Sequence, residues 1–174
     1  MRLSYLVRGF PGHPLHPPLT DATIGAYTTA TVLGILAFAG VSEGTLTRAW
    51  WLALLVGLGF TAFAALTGLV DWLSITWRSP LWWTATWHML SMLTATAFFA
   101  IAAVFGHDRY VAGEMGGKTF TATLIGFVAL TVGGWLGGAI VYVHGMRVLN
   151  LVEEPAPRAV SPLPHAEKET AERS

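Results

Sequence analysis

Four long apolar segments constrain the fold more than any other feature of this sequence. They cover about residues 18–40, 50–73, 81–105 and 119–148. Each exceeds the roughly 20 residues that a helix needs to cross the hydrocarbon core of a bilayer. A backbone in lipid must satisfy its polar groups within its own structure, so the pattern predicts four transmembrane helices.

Composition agrees with a membrane protein and excludes several other classes. Only 11% of the residues are charged, whereas a soluble domain has about 25%. The net charge is zero and no basic run is present, which argues against nucleic acid as a partner. The chain has no cysteine, which excludes disulfides, thiolate metal sites and iron–sulfur clusters held by this chain. No catalytic motif is visible, so the sequence leaves enzymatic activity undecided.

The short connections between the apolar segments predict their arrangement. Sequential helices joined by short links lie antiparallel, which favours an all-α, integral membrane four-helix bundle with up-down-up-down topology. Residues 1–17 are predicted to form an N-terminal interfacial segment, residues 18–149 the bundle, and residues 150–174 a disordered tail. Both chain ends then lie on one side, which carries most of the Arg and Lys, so both termini are predicted to be cytoplasmic.

Ionisable side chains gather at the side of the bundle that carries both chain ends. Six of them lie at the starts of spans one and three and at the ends of spans two and four: His13, His16, Asp21, Asp71, His88 and His144. Those within the spans lie on stripes of small or hydroxylated residues, which predicts that these faces point into the bundle. A buried ionisable group is costly unless it is paired, so Asp71 is expected to pair with His88 or His144.

A stripe of glycines in the fourth segment suggests a groove. Gly126, Gly133, Gly137 and His144 fall nearly on one line of a helix, and Arg147 follows one turn later. Such a groove admits either another helix or a flat cofactor. Closely spaced glycines are often a helix-packing motif, so both interpretations stay open.

The cofactor interpretation is a haem b between spans three and four. His88 and His144 would be its axial ligands, because histidines on facing helices often hold haem iron. Gly133 and Gly137 would let the macrocycle approach the backbone, and Arg78 or Arg147 would pair with the propionates. The protein would then be a redox module.

Two interpretations without haem remain. In the first, a transition-metal ion or protons bind to histidines of the layer, and the protein serves in transport. The candidate metal ligands are His13, His16, His88 and His144, and the candidate residues for orienting ligands or handling protons are Asp71 and Asp21. In the second, the same groups only specify helix packing, and the protein is a scaffold.

Four motifs carry a resemblance to a known family. GHPLHPPLTDATIGAY, TGLVDW, TWHML and GGWLGGAIVYVHGMRV resemble a family of small bacterial inner-membrane proteins, the domain-of-unknown-function family 2231, over roughly residues 9–150. The resemblance implies a four-span protein of the bacterial inner membrane with no assigned activity. Its characteristic positions correspond here to His13, His16, Asp21, Asp71, His88 and His144.

The resemblance also bears on partners. Fusions of some relatives to a Rieske-type domain imply electron transfer, here with an iron–sulfur protein as a separate chain. A looser likeness to membrane b-type cytochromes implies one cofactor that exchanges electrons with quinone or a partner protein. The lipid bilayer is the expected environment, and a homo-oligomer is left open.

Overall fold

The structure, a computed structural model, describes residues 5–149 and 151–160. A short helix α1 (Tyr5–Arg8) and a hairpin of β1 (Gly9–Phe10) and β2 (His13–Pro14) come first. The four long helices are α2 (His16–Phe38), α3 (Glu43–Leu73), α4 (Pro80–Ala112) and α5 (Gly117–Tyr142). All four are long and apolar enough to cross a membrane, so the prediction of four spans is confirmed. A short helix α6 (Ala156–Ala159) follows.

The helices form a ring, which confirms the predicted four-helix bundle. Helix α2 packs mainly on α3 and α4 mainly on α5, while contacts of α3 with α4 and of α2 with α5 close the ring. Helices α2 and α4 therefore stand on one diagonal. We call the side where α2 and α4 begin and α3 and α5 end the terminal side, and the other the opposite side.

Two helix boundaries differ from the prediction for physical reasons. Helix α2 begins at His16, because the two prolines that follow it suit the first turn of a helix. Helix α5 ends at Tyr142 rather than near residue 148. There Gly145 adopts a φ of 65°, a left-handed conformation that ends helices. The backbone N–H groups of His144 and Met146 donate to carbonyls of the last helical turns.

The flanking segments are described only in part. In the predicted tail, residues 151–160 contain α6, while residues 150 and 161–174 lie outside the described residues. In the predicted interfacial segment, residues 1–4 also lie outside them. The described remainder forms α1 and the small hairpin, and α1 contacts α3.

An aromatic core fills the half of the bundle towards the opposite side. Tyr27 and Phe99 are fully buried and stack with ring centroids 4.0 Å apart. The Trp50 ring occupies notches at Gly34 and Gly106, where an added Cβ would lie 3.2 and 2.6 Å from Trp50 atoms. Close packing of this kind holds membrane helices together, because lipid and core are equally apolar.

Candidate functional site

His16 and His88 make the same hydrogen bond in two different helix pairs. His16 Nδ1–H donates to the Ala64 carbonyl of α3 over 3.0 Å. His88 Nδ1–H donates to the Gly133 carbonyl of α5 over 2.8 Å. In each pair, a histidine near the start of one helix is therefore anchored to the backbone of the next helix.

Each imidazole also packs against a glycine on that neighbouring helix. A Cβ added to Gly68 would lie 2.7 Å from His16 Cε1, and one added to Gly137 would lie 3.2 Å from His88 Cε1. Each glycine follows the accepting carbonyl by four residues, about one helical turn. The rings therefore occupy space that only a missing side chain leaves open.

The correspondence between the two helix pairs extends towards the opposite side. Eleven residues after each histidine comes an aromatic ring, Tyr27 in α2 and Phe99 in α4. These rings pack on Gly57 and Gly126, each seven residues before the accepting carbonyl. Since Tyr27 and Phe99 also stack on one another, the pairs α2–α3 and α4–α5 are related by an approximate two-fold axis along the bundle.

The two histidines form a pair of potential ligands, the His16–His88 pair. A carbonyl oxygen only accepts, so Nδ1 carries the proton in both rings, and Nε2 of each neutral ring presents a lone pair. His16 Nε2 lies 3.4 Å from Thr20 Oγ1, whereas His88 Nε2 has no hydrogen-bond partner among the described residues. The rings belong to diagonal helices, and each lies eleven residues before one of the stacked rings of Tyr27 and Phe99.

Asp71 pairs with Arg147, so the expected pairing of Asp71 with His88 or His144 is wrong. The Asp71 side chain is only 10% exposed and accepts a hydrogen bond from Arg147, which is 33% exposed. Because α5 ends early, the segment after it turns back and brings the guanidinium to the end of α3.

His144 lies beyond α5 and does not continue the line of glycines, so that prediction is wrong as well. Its Nε2 lies 3.0 Å from Thr84 Oγ1 near the start of α4. The glycine groove itself is occupied by side chains of α4. His88 packs at Gly137, and Met92 Sδ would lie 2.6 Å from a Cβ on Gly133.

Comparison with known proteins identifies the family. The family model described as "Predicted membrane protein (DUF2231)" matches residues 12–150. The chain belongs to this family. No curated protein and no solved structure is detectably similar to it. The four candidate spans of this DUF2231 protein agree with the description of its family.

Two other predicted site residues of this DUF2231 protein lie away from the His16–His88 pair. His13 is exposed in β2, and Asp21 is exposed on α2. The expectation that the face of Asp21 and Gly25 points inward is wrong, because an added Cβ on Gly25 would meet nothing within 4 Å. The inward residues of α2 are Thr23, Tyr27, Ala30, Thr31, Gly34 and Ala37. In the described ranges, no group of three or more His, Cys, Asp or Glu could hold a metal ion.

Sequence reasoning missed that the two histidines are equivalent, although the sequence of this DUF2231 protein carries a signal. An aromatic residue follows each of His16 and His88 at the same distance. The partner helices repeat one spacing, with Gly57, Ala64 and Gly68 in α3 and Gly126, Gly133 and Gly137 in α5. A search for internal repeats would have found this correspondence.

Proposed function

We propose that this protein is a membrane redox module that holds one haem b iron between His16 and His88. The supporting observation is that both rings donate Nδ1–H to a backbone carbonyl. This leaves Nε2 of His88 without a partner among the described residues, and Nε2 of His16 beside Thr20 Oγ1 alone. Haem iron needs only two protein ligands, whereas a bare ion such as zinc usually takes three or four. A set of two histidines therefore suits haem better than it suits a bare ion.

This proposal replaces one ligand of the pair predicted from the sequence. His88 keeps its role, while His16 takes the place of His144, because His144 contacts Thr84 outside the helix. Arg147 is already paired with Asp71, so we assign it no propionate. Bound haem would supply one-electron chemistry to the protein.

The carbonyls of Ala64 and Gly133 would orient the two ligands. A histidine whose Nδ1–H donates to a carbonyl has a fixed tautomer and ring plane, and its Nε2 becomes a stronger ligand. Gly68 and Gly137 would contribute by leaving room for the rings. Both helix pairs would support the iron in the same way.

Absorption spectra of the purified protein test the proposal. The full chain, expressed in haem-replete cells, should show a Soret band that shifts on reduction with dithionite. His16→Ala and His88→Ala should each remove the band, whereas the matched variants His13→Ala and His144→Ala should keep it. Colourless wild-type protein would refute haem binding. Loss of the band in His144→Ala but not in His16→Ala would refute the ligand pair.

A second candidate is a transition-metal ion or a proton held by the same two Nε2 atoms, in a transport protein without haem. It is favoured by the packing of Met92 and His88 into the glycine groove of α5, since a single ion needs less space than a macrocycle. Elemental analysis of colourless protein would separate the two. Metal that is stoichiometric in wild type and lost in His16→Ala and His88→Ala supports this candidate.

The proposed setting is the bacterial inner membrane with both termini in the cytoplasm. It is supported by the arginines of the terminal side, including Arg8, Arg78 and Arg147. Quinone or an iron–sulfur protein would be the electron partner. A fluorescent protein fused to the C-terminus should fluoresce in intact bacteria, and an alkaline phosphatase fused there should be inactive. The reverse pattern would contradict the orientation.

A further inference from the structure

We propose that residues 143–149, the terminal strap, form a gate that controls access to the His16–His88 pair from the terminal side. This regulation rests on the proposed function in one respect only, which is that the pair binds a ligand. It is supported by the polar contacts that hold the strap to the helix ends on either side of the pair.

The opposite side is closed by packed aromatic side chains. Tyr27, Trp50, Leu54 and Phe99 are each fully buried. Trp50 Nε1 also donates to Thr123 Oγ1 over 3.2 Å, which ties α3 to α5. A ligand could reach the histidines from this side only if several well-packed rings moved together.

Two polar contacts hold the strap to the helix ends of the terminal side. Arg147 donates to the buried Asp71 carboxylate at the end of α3. His144 Nε2 lies 3.0 Å from Thr84 Oγ1 at the start of α4. Both contacts join a segment outside the helices to the helix ends that surround the His16–His88 pair. Polar contacts that border on water exchange more easily than a packed core.

The strap holds a backbone conformation that depends on its side-chain contacts. Arg147 has a φ of 64°, in the left-handed region that residues with a Cβ rarely adopt. The contact of its guanidinium with Asp71 holds the residue there. Loss of this contact would release the strap from the end of α3.

Thiol labelling tests the gate, because the chain contains no cysteine of its own. Thr67→Cys places a reporter beside the pair, since Thr67 Oγ1 lies 3.2 Å from His16 Nδ1. The probe is a cationic methanethiosulfonate reagent, applied to the full chain in liposomes. Adding Arg147→Gln should raise the labelling rate by about tenfold or more, as expected for loss of an ion pair that holds a local closed state.

Two controls show whether the effect is local. Arg109→Gln removes a cation of the opposite side and should leave the rate at Thr67→Cys unchanged. Thr123→Cys places a second reporter in the aromatic core, where Thr123 is fully buried. Its labelling rate should stay low with and without Arg147→Gln. Acceleration of both reporters would indicate general loosening and would overturn the gate.

Other outcomes of the labelling experiment also test the gate. Equal rates at Thr67→Cys with Arg147 and with Arg147→Gln would overturn the proposal. If Arg147→Gln loses its helical circular dichroism, Thr84→Val takes its place, and an unchanged rate there overturns it too. Labelling needs no bound haem. Colourless protein with strap-dependent labelling would refute haem binding alone, and a haem protein with unchanged labelling would refute the gate alone.

Discussion

His16 and His88 occupy equivalent positions about the approximate two-fold axis that passes between the stacked rings of Tyr27 and Phe99. Each ring is held by one carbonyl and one glycine of the neighbouring helix. The equivalence explains why the two histidines use the same nitrogen, Nδ1, to bind a backbone carbonyl of the neighbouring helix. A variant in one helix pair can therefore be compared with the matching variant in the other pair.

Replacing the glycines behind the rings should displace the ligands. In Gly68→Ala the new Cβ would lie 2.7 Å from His16 Cε1, closer than real contacts allow, whereas in Gly137→Ala the distance to His88 is 3.2 Å. We expect Gly68→Ala to lose most bound ligand and Gly137→Ala to lose less, measured as haem or metal per protein. Gly134→Ala is the control, because its Cβ would meet nothing within 4 Å. Full occupancy in Gly68→Ala would contradict the site.

Removing the charge of Asp71 should destabilise the terminal side. Asp71→Asn weakens the contact with a half-desolvated guanidinium, and we expect a loss of about 1–2 kcal/mol in the free energy of unfolding. Thermal unfolding in detergent measures it. Asp108→Asn is the matched control, since Asp108 is fully exposed and its replacement should leave the Tm unchanged. Equal Tm values for all three proteins would show that the Asp71–Arg147 contact contributes no stability.

The two stacked rings should respond differently to exchange of a hydroxyl. The Tyr27 hydroxyl lies 2.9 Å from Thr61 Oγ1, and the residue at the equivalent place opposite Phe99 is the buried Leu130. Phe99→Tyr should therefore cost about 1–3 kcal/mol of unfolding free energy, because its hydroxyl lacks a partner. Adding Leu130→Thr should recover part of this loss. Failure of the double variant to recover any stability, measured by denaturant unfolding, would argue against the two-fold relation.

Filling a notch of the aromatic core should strain the bundle. In Gly106→Ala the added Cβ would lie 2.6 Å from Trp50 Cη2, so α3 and α4 must separate or the indole must move. We expect a loss of about 1–3 kcal/mol, typical of overpacking. Gly59→Ala is the control, because nothing lies within 4 Å of its added Cβ. Unchanged stability in Gly106→Ala, again by denaturant unfolding, would show that the core adapts freely.

The sequence predicted the placement of some candidate site residues correctly and of others incorrectly. His88 and Asp71 were recognised as interior residues from their depth in the spans, and the structure has Asp71 buried and His88 partly buried. Asp21 was assigned to an inward face because it shares a stripe with Gly25, yet that stripe is exposed. In a membrane helix the lipid and the interior are both apolar, so the pattern of polarity distinguishes the two faces poorly.

The sequence by itself determined that four helices of membrane length form an all-α bundle with antiparallel neighbours. Length and hydropathy are local properties, and short connections leave few arrangements. Only the tertiary structure decided which polar groups meet. Asp71 bonds to Arg147 because α5 ends at Tyr142 and the chain turns back, and His16 matches His88 because two helix pairs pack alike. Both results depend on contacts between residues far apart in the chain, which no local pattern specifies.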